Sequence, residues 1–163
     1  MKTSPRLFLV SLLGLTAAAC AKHDEAAPAA LSAGVTRHEH KAPHDGTPVV
    51  LGQEAYHLEL VRDPATGGLS AYVLDGEMEK FIRIPARSLE IVATVAGQPR
   101  PLILNAVANS ATGETVGDTA QFDGQADWLK RTSSFEAVLT AIEIRGTKFE
   151  HVAFNFPKGN DKD

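Results

Sequence analysis

In Tyr56-His57-Leu58-Glu59-Leu60, apolar and polar side chains alternate one by one. A period of two is that of an extended strand, so Tyr56, Leu58 and Leu60 are expected on one face and His57 and Glu59 on the other, in water. Stretches that read as strands recur at residues 49–51, 69–74, 81–84, 89–95, 102–107, 135–144 and 149–156, with turn signals at residues 64–68, 75–76, 97–101, 111–113 and Gly146. Many short strands at short spacing predict an all-β domain, a small β-sandwich or a barrel-like sheet. Residues 135–144 also fit a helical face through Val138, Leu139, Ile142 and Ile144. The strand is preferred because Ile142-Glu143-Ile144-Arg145-Gly146 ends in a hairpin signal.

Laid on itself, the chain shows a recurrence. Val61-Arg62-Asp63-Pro64-Ala65-Thr66-Gly67 falls on Val107-Ala108-Asn109-Ser110-Ala111-Thr112-Gly113, and further along Asp75-Gly76 falls on Asp123-Gly124, Phe81 on Leu129 and Gly97 on Gly146. The pattern suggests two related β-units of roughly fifty residues each; chance recurrence of Ala-Thr-Gly turns is the alternative. The second unit departs from the first at residues 118–131, where a strand-poor excursion is expected, with Asp118 able to cap a short helix. Within it Trp128 is expected to plug an open edge or end of the domain, or else to serve as a ligand platform.

The amino terminus carries an address. Lys2 and Arg6 precede the apolar residues 7–15, and Ala17-Ala18-Ala19-Cys20 follows as a small-residue cleavage site, the layout of an export signal. The apolar run is shorter than the roughly 18 to 20 residues of a membrane-spanning helix. Cys20 is the only cysteine and stands where a bacterial lipoprotein carries its acylated residue, so the segment resembles a lipobox, with Ala17 where Leu is commoner. The other outcome is plain cleavage after Ala-x-Ala, leaving an unpaired thiol in an oxidising compartment. Ala21, not Asp, at the next position implies the outer membrane, facing the periplasm. The expected organisation is a signal over residues 1–19, an acylated Cys20 heading a disordered His/Ala/Pro tether over residues 20–47, a β-domain over residues 48–157 and a polar tail over residues 158–163.

Cleavage before Cys20 moves the formal charge from -4 to -6. With no basic patch either, nucleic acid is excluded as a partner. The sequence has no G-x-S-x-G elbow and no Gly-rich phosphate loop opening a helix, so an enzyme is not expected. Chemistry concentrates instead in His38-Glu39-His40-Lys41-Ala42-Pro43-His44-Asp45-Gly46, which holds half of the six histidines. Imidazoles at i, i+2 and i+6 with carboxylates between them suit a divalent transition metal such as Zn, Cu(II), Ni or Co. His38, His40 and His44 are the candidate ligands, with His57, Glu39, Asp45 or Glu59 completing the shell. Cu(I) is disfavoured because the mature chain offers only Met78 as a thioether. His151 is expected at the surface. A solvated linker that binds no metal remains the alternative reading of the same residues.

The run from His38 to Gly46, the strand from Tyr56 to Val61 and Tyr72-Val73-Leu74-Asp75-Gly76 together resemble a small periplasmic β-domain with a His-x-x-Pro-His-Gly-Gly-type start. That domain occurs in uncharacterised bacterial lipoproteins and in N-terminal extensions of heavy-metal efflux adaptor proteins. Asp45 stands here in place of the first Gly of the pair. The resemblance implies a metal-resistance setting and an envelope or efflux protein as partner. Two functions follow as expectations: a lipid-anchored metal-binding accessory protein, or a non-catalytic interaction module that binds an envelope protein through a sheet edge or the Trp128 excursion.

Overall fold

The computed structural model describes residues 41–161; residues 1–40, read above as export signal and the first part of the tether and holding Cys20, His38, Glu39 and His40, lie outside the described residues. Eight strands form one antiparallel sheet: β1 (Thr47–Leu51), β2 (Tyr56–Asp63), β3 (Gly68–Asp75), β4 (Ser88–Val95), β5 (Gln98–Ala106), β6 (Gln121–Gln125), β7 (Phe135–Ile144) and β8 (Thr147–Phe156). Their order across the sheet is β1-β2-β3-β6-β5-β4-β7-β8. The sheet curls into a nearly closed barrel, and the all-β expectation holds. Residues after β8 bring β1 toward it: the Asn160 side-chain amide donates to the Val50 carbonyl at 3.1 Å and accepts the Val50 N–H at 2.7 Å, standing in for a neighbouring strand. Part of the expected polar tail is thus built into the seam of the barrel.

The interior is filled by one alternate set from each strand: Val49 and Leu51, Leu58 and Leu60, Leu69, Ala71 and Val73, Leu89 and Ile91, Leu102 and Leu104, and Phe122. Each such Leu or Ile, taken wholly from water, contributes roughly 1.5 to 3 kcal/mol before entropy is charged against it. β7 changes phase. Phe135, Ala137 and Leu139 are buried, and then Ile142 and Ile144. The change falls where the β7–β8 pairing lapses between Leu139↔Val152 and Ala141↔Glu150, and His151 there adopts φ 52. The i, i+3 spacing that made residues 135–144 look helical is the mark of this phase change.

Residues 81–84 do not form a strand of the sheet. Phe81 bridges Leu74 and Ile84 bridges Thr119, two different partners, so the buried Ile82 and Ile84 alternate as expected without a continuous ladder. Residues 118–131 depart from expectation in the other direction, since β6 lies inside them. Phe122 is the only large apolar residue in β6, which left alternation nothing to register. Gly124 is required by proximity: a Cβ there would sit 2.6 Å from the Ile103 carbonyl oxygen. Asp118 caps no helix but closes a tight turn with Thr115, and the single 3-10 turn Asp127–Lys130 starts at Ala126 without a side-chain cap. Trp128 stands edge-on to Phe135 with ring centroids 5.2 Å apart, packed against the core beside the fully buried Leu129.

The sequence recurrence survives in turn chemistry. Asp63 Oδ1 accepts the Ala65 N–H at 2.8 Å and Asn109 Oδ1 accepts the Ala111 N–H at 3.0 Å, and Gly67 and Gly113 share φ values of 77 and 73. Ala96-Gly97 and Arg145-Gly146 both have positive φ at both positions, as two-residue hairpins of the same hand require. The Asp-Gly pairs do not correspond, because Asp75-Gly76 ends β3 whereas Asp123-Gly124 lies within β6.

Candidate functional site

The outer face of β2 is covered at His57 and Glu59, and this corrects the expectation that they face water. His57 is 2% exposed and Glu59 0%. The cover is the chain just before β1. Ala42 joins Leu74 and Met78 in a small second core outside the barrel, and the chain turns there, with the Asp45 N–H bonded to the Ala42 carbonyl at 3.1 Å. Asp45 has φ 52, a conformation that Asp tolerates better than most residues and Gly adopts freely. Gly46 then runs so close to β2 that a Cβ would meet Glu59 Cγ at 2.7 Å and the Leu60 carbonyl oxygen at 2.8 Å.

Glu59 fastens this strap. Its Oε1 accepts the backbone N–H of His44 at 2.7 Å and of Gly46 at 2.9 Å, and its Oε2 lies 2.8 Å from His44 Nδ1. A buried carboxylate is costly unless every lone pair it turns inward finds a donor, and the strap provides three. We assign the ring proton to Nδ1 because its neighbour is a carboxylate oxygen, which leaves Nε2 as the atom able to bind a partner. The imidazole, its side chain 39% exposed, is stacked on Tyr72 with centroids 4.1 Å apart and planes 22° apart, and Phe81 lies 5.8 Å away. Burial, together with the Asp123 and Glu59 carboxylates, raises the Tyr72 phenol above its ordinary value against a hydrogen bond with Ser70. Tyr72 is thus a neutral platform for the ring.

His44, Tyr72 and Phe81 form one side of a cleft of about 530 Å³ whose polar lining includes Arg83 and Glu114. The Arg83 guanidinium donates to the Thr112 carbonyl and lies 3.5 Å from Asp118 Oδ2. Glu114 accepts the Thr112 hydroxyl and the Ala120 N–H. These bonds, the Thr112 hydroxyl foremost, hold its carboxyl below the ordinary carboxylate value. Sequence reasoning passed over Phe81 and Arg83, which lie in a stretch read as strand, and Glu114, which follows the turn read at residues 111–113. The signal available was an aromatic and an arginine at i and i+2, on the outward phase of 81–84.

Of the candidate ligands, the structure brings His44 and Asp45 of the strap together with Glu59 of β2, in different roles. Glu59 has both oxygens engaged with the strap, Asp45 is exposed at its turn, and His57 Nδ1 lies 3.4 Å from the Asp75 carbonyl in a buried position. Among the described residues, no group of three or more His, Cys, Asp or Glu is placed to hold a metal ion, and no helix is long and apolar enough to cross a membrane. His38, Glu39 and His40 lie outside the described residues. No family model matches the chain, and no curated protein or solved structure matches it.

Proposed function

We propose that this chain is a lipid-anchored protein of the outer membrane, facing the periplasm, that binds a divalent transition metal, Zn or Cu(II), as an accessory to heavy-metal efflux or resistance. The observation that carries the reading is the grip of Glu59 on His44. A histidine that gives its Nδ1–H to a fixed carboxylate has its ring oriented and its Nε2 made more basic, the arrangement that metal-ligating histidines use. A metal here takes His44 as its pre-oriented ligand and draws the others from His40 and His38, four and six residues before it on the strap's own chain. The buried Glu59 and His57 act as support, not as ligands. The role proposed is binding, not catalysis.

Calorimetric titration of the mature Cys20→Ser chain with Zn and Cu(II) tests this. His44→Ala and a His38→Ala/His40→Ala pair are expected to abolish tight binding, and Glu59→Gln to weaken it about 10- to 100-fold. Isotherms that coincide for all four proteins would defeat the proposal.

A further inference from the structure

We propose that the cleft beside the strap binds a neutral saccharide ring, stacked on Phe81. Phe81 is 49% exposed, yet its ring is held in place by neighbours: Tyr72 meets it edge-on at 6.1 Å and His44 tilts against it at 5.8 Å. An aromatic ring kept half in water at the wall of a cleft, with its surroundings already packed, is a surface for a flat, weakly apolar partner. Four polar side chains of the remaining lining are held by neighbours. Arg83 is anchored by the Thr112 carbonyl and Glu114 by the Thr112 hydroxyl. Asn109 spends its Oδ1 on the Ala111 N–H, which leaves its Nδ2 hydrogens to donate. Gln121 spends its Nε2 on Asp123, which leaves its Oε1 to accept.

Donors and acceptors are therefore interspersed, as a ligand whose groups do both requires, and hydroxyls are such groups. The charges decide against an ion. Lys80 and Arg83 in the lining are matched by Glu79 and Glu114, so the cleft carries no net charge to attract one. Its volume of about 530 Å³ lies within the roughly 300 to 1,000 Å³ of small-molecule sites. The inference stands on Phe81 and the polar lining, independently of whether His44 takes a metal.

The test is a titration of the isotopically labelled mature Cys20→Ser chain, followed by amide shifts, with EDTA present so that metal binding plays no part. Chitotriose and cellotriose at millimolar concentration are the saccharide probes, and inorganic phosphate and citrate the anionic ones. Saturable shifts at residues 72, 81, 83 and 121 with at least one saccharide are expected. Affinity should be about ten-fold weaker in Phe81→Ala and retained in Phe81→Trp. Because Phe81 is half exposed, both variants are expected to keep dispersed spectra; Arg83→Met provides a second weakened variant from the polar side. No saccharide-induced shifts, equal affinity in Phe81→Ala, or shifts with the anions alone would each overturn the proposal.

Discussion

Glu59 and His44 are fifteen residues apart, and the two oxygens of one fully buried carboxylate hold both the backbone N–H and the ring of that histidine. The pair explains why a residue from the hydrophilic run 38–46 belongs to the folded body. Hydrogen bonds to a charged, buried acceptor contribute about 1.5 to 3 kcal/mol each when the partner has no alternative, although the half-exposed His44 ring is partly screened. Glu59→Ala is expected to lower stability by about 2 to 3 kcal/mol in urea unfolding. Glu59→Gln should cost less, because its carbonyl still accepts the N–H groups of His44 and Gly46. Equal losses in the two variants would show that the bonds to the strap backbone matter little.

Deletion separates strap from tether. A disordered tether would be dispensable for stability, but Ala42, His44 and Gly46, within the residues 20–47 expected to form it, are packed or bonded against the body. Removing residues 21–46 strips the cover from Leu74 and Met78 and takes from Glu59 the three donors it bonds. Against a deletion of residues 21–40, it is expected to lower the melting temperature by about 5 °C or more. Identical melting curves would place the strap outside the cooperative unit.

How much of this was legible depends on which side of the sheet a residue faces. Alternation located Leu58, Leu60, Ile91 and Leu104, because a barrel interior is buried whatever lies outside it. The same alternation assigned His57 and Glu59 to water, because nothing in a period of two reveals that another segment lies across the outer face. The covering segment has only Ala42 as a buried apolar residue, too little for hydropathy to register. Its attachment rests on backbone N–H groups, which every sequence has. β6 was missed for a related reason: its place depends on Gly124 fitting against Ile103, and a glycine leaves no trace in a hydrophobic pattern. Of the histidine cluster, His44 lies within the described residues, where Glu59 holds its backbone and ring.

His151 holds a left-handed backbone within β8, where the pairing with β7 lapses. A left-handed backbone costs an L-residue roughly 1 to 2 kcal/mol, less for small polar side chains and most for β-branched ones. His151→Gly is expected to stabilise the protein or leave it unchanged, whereas His151→Val should destabilise it by about 1 kcal/mol. The phase change at Thr140 and His151 is what turns Ile142 and Ile144 inward, so His151→Val should also speed amide exchange at residues 142–149. Wild-type stability and exchange in His151→Val would mean the hairpin turns without need of that conformation.

The acid limb of the stability curve is expected to depend on Glu114. Its folded-state pKa lies below the ordinary value of 4.5, first through the Thr112 hydroxyl, then through the Ala120 N–H and the Arg83 charge. A depressed carboxyl contributes stability that is fully present above its unfolded value and disappears as pH falls through the folded one. The contribution is therefore intact at neutral pH and is lost below about pH 4.5. Glu114 ties Thr112 to Ala120 and so holds both ends of the loop that carries the polar lining of the cleft. Glu114→Gln should be less stable than the natural chain at pH 7, with a gap that narrows steadily toward pH 3 as the natural carboxyl takes up its proton. Protection factors for amide exchange at residues 109–120 should fall in the natural chain over the same interval. A gap between the two proteins that stays constant from pH 7 to pH 3 would show that Glu114 acts through shape alone and not through its charge.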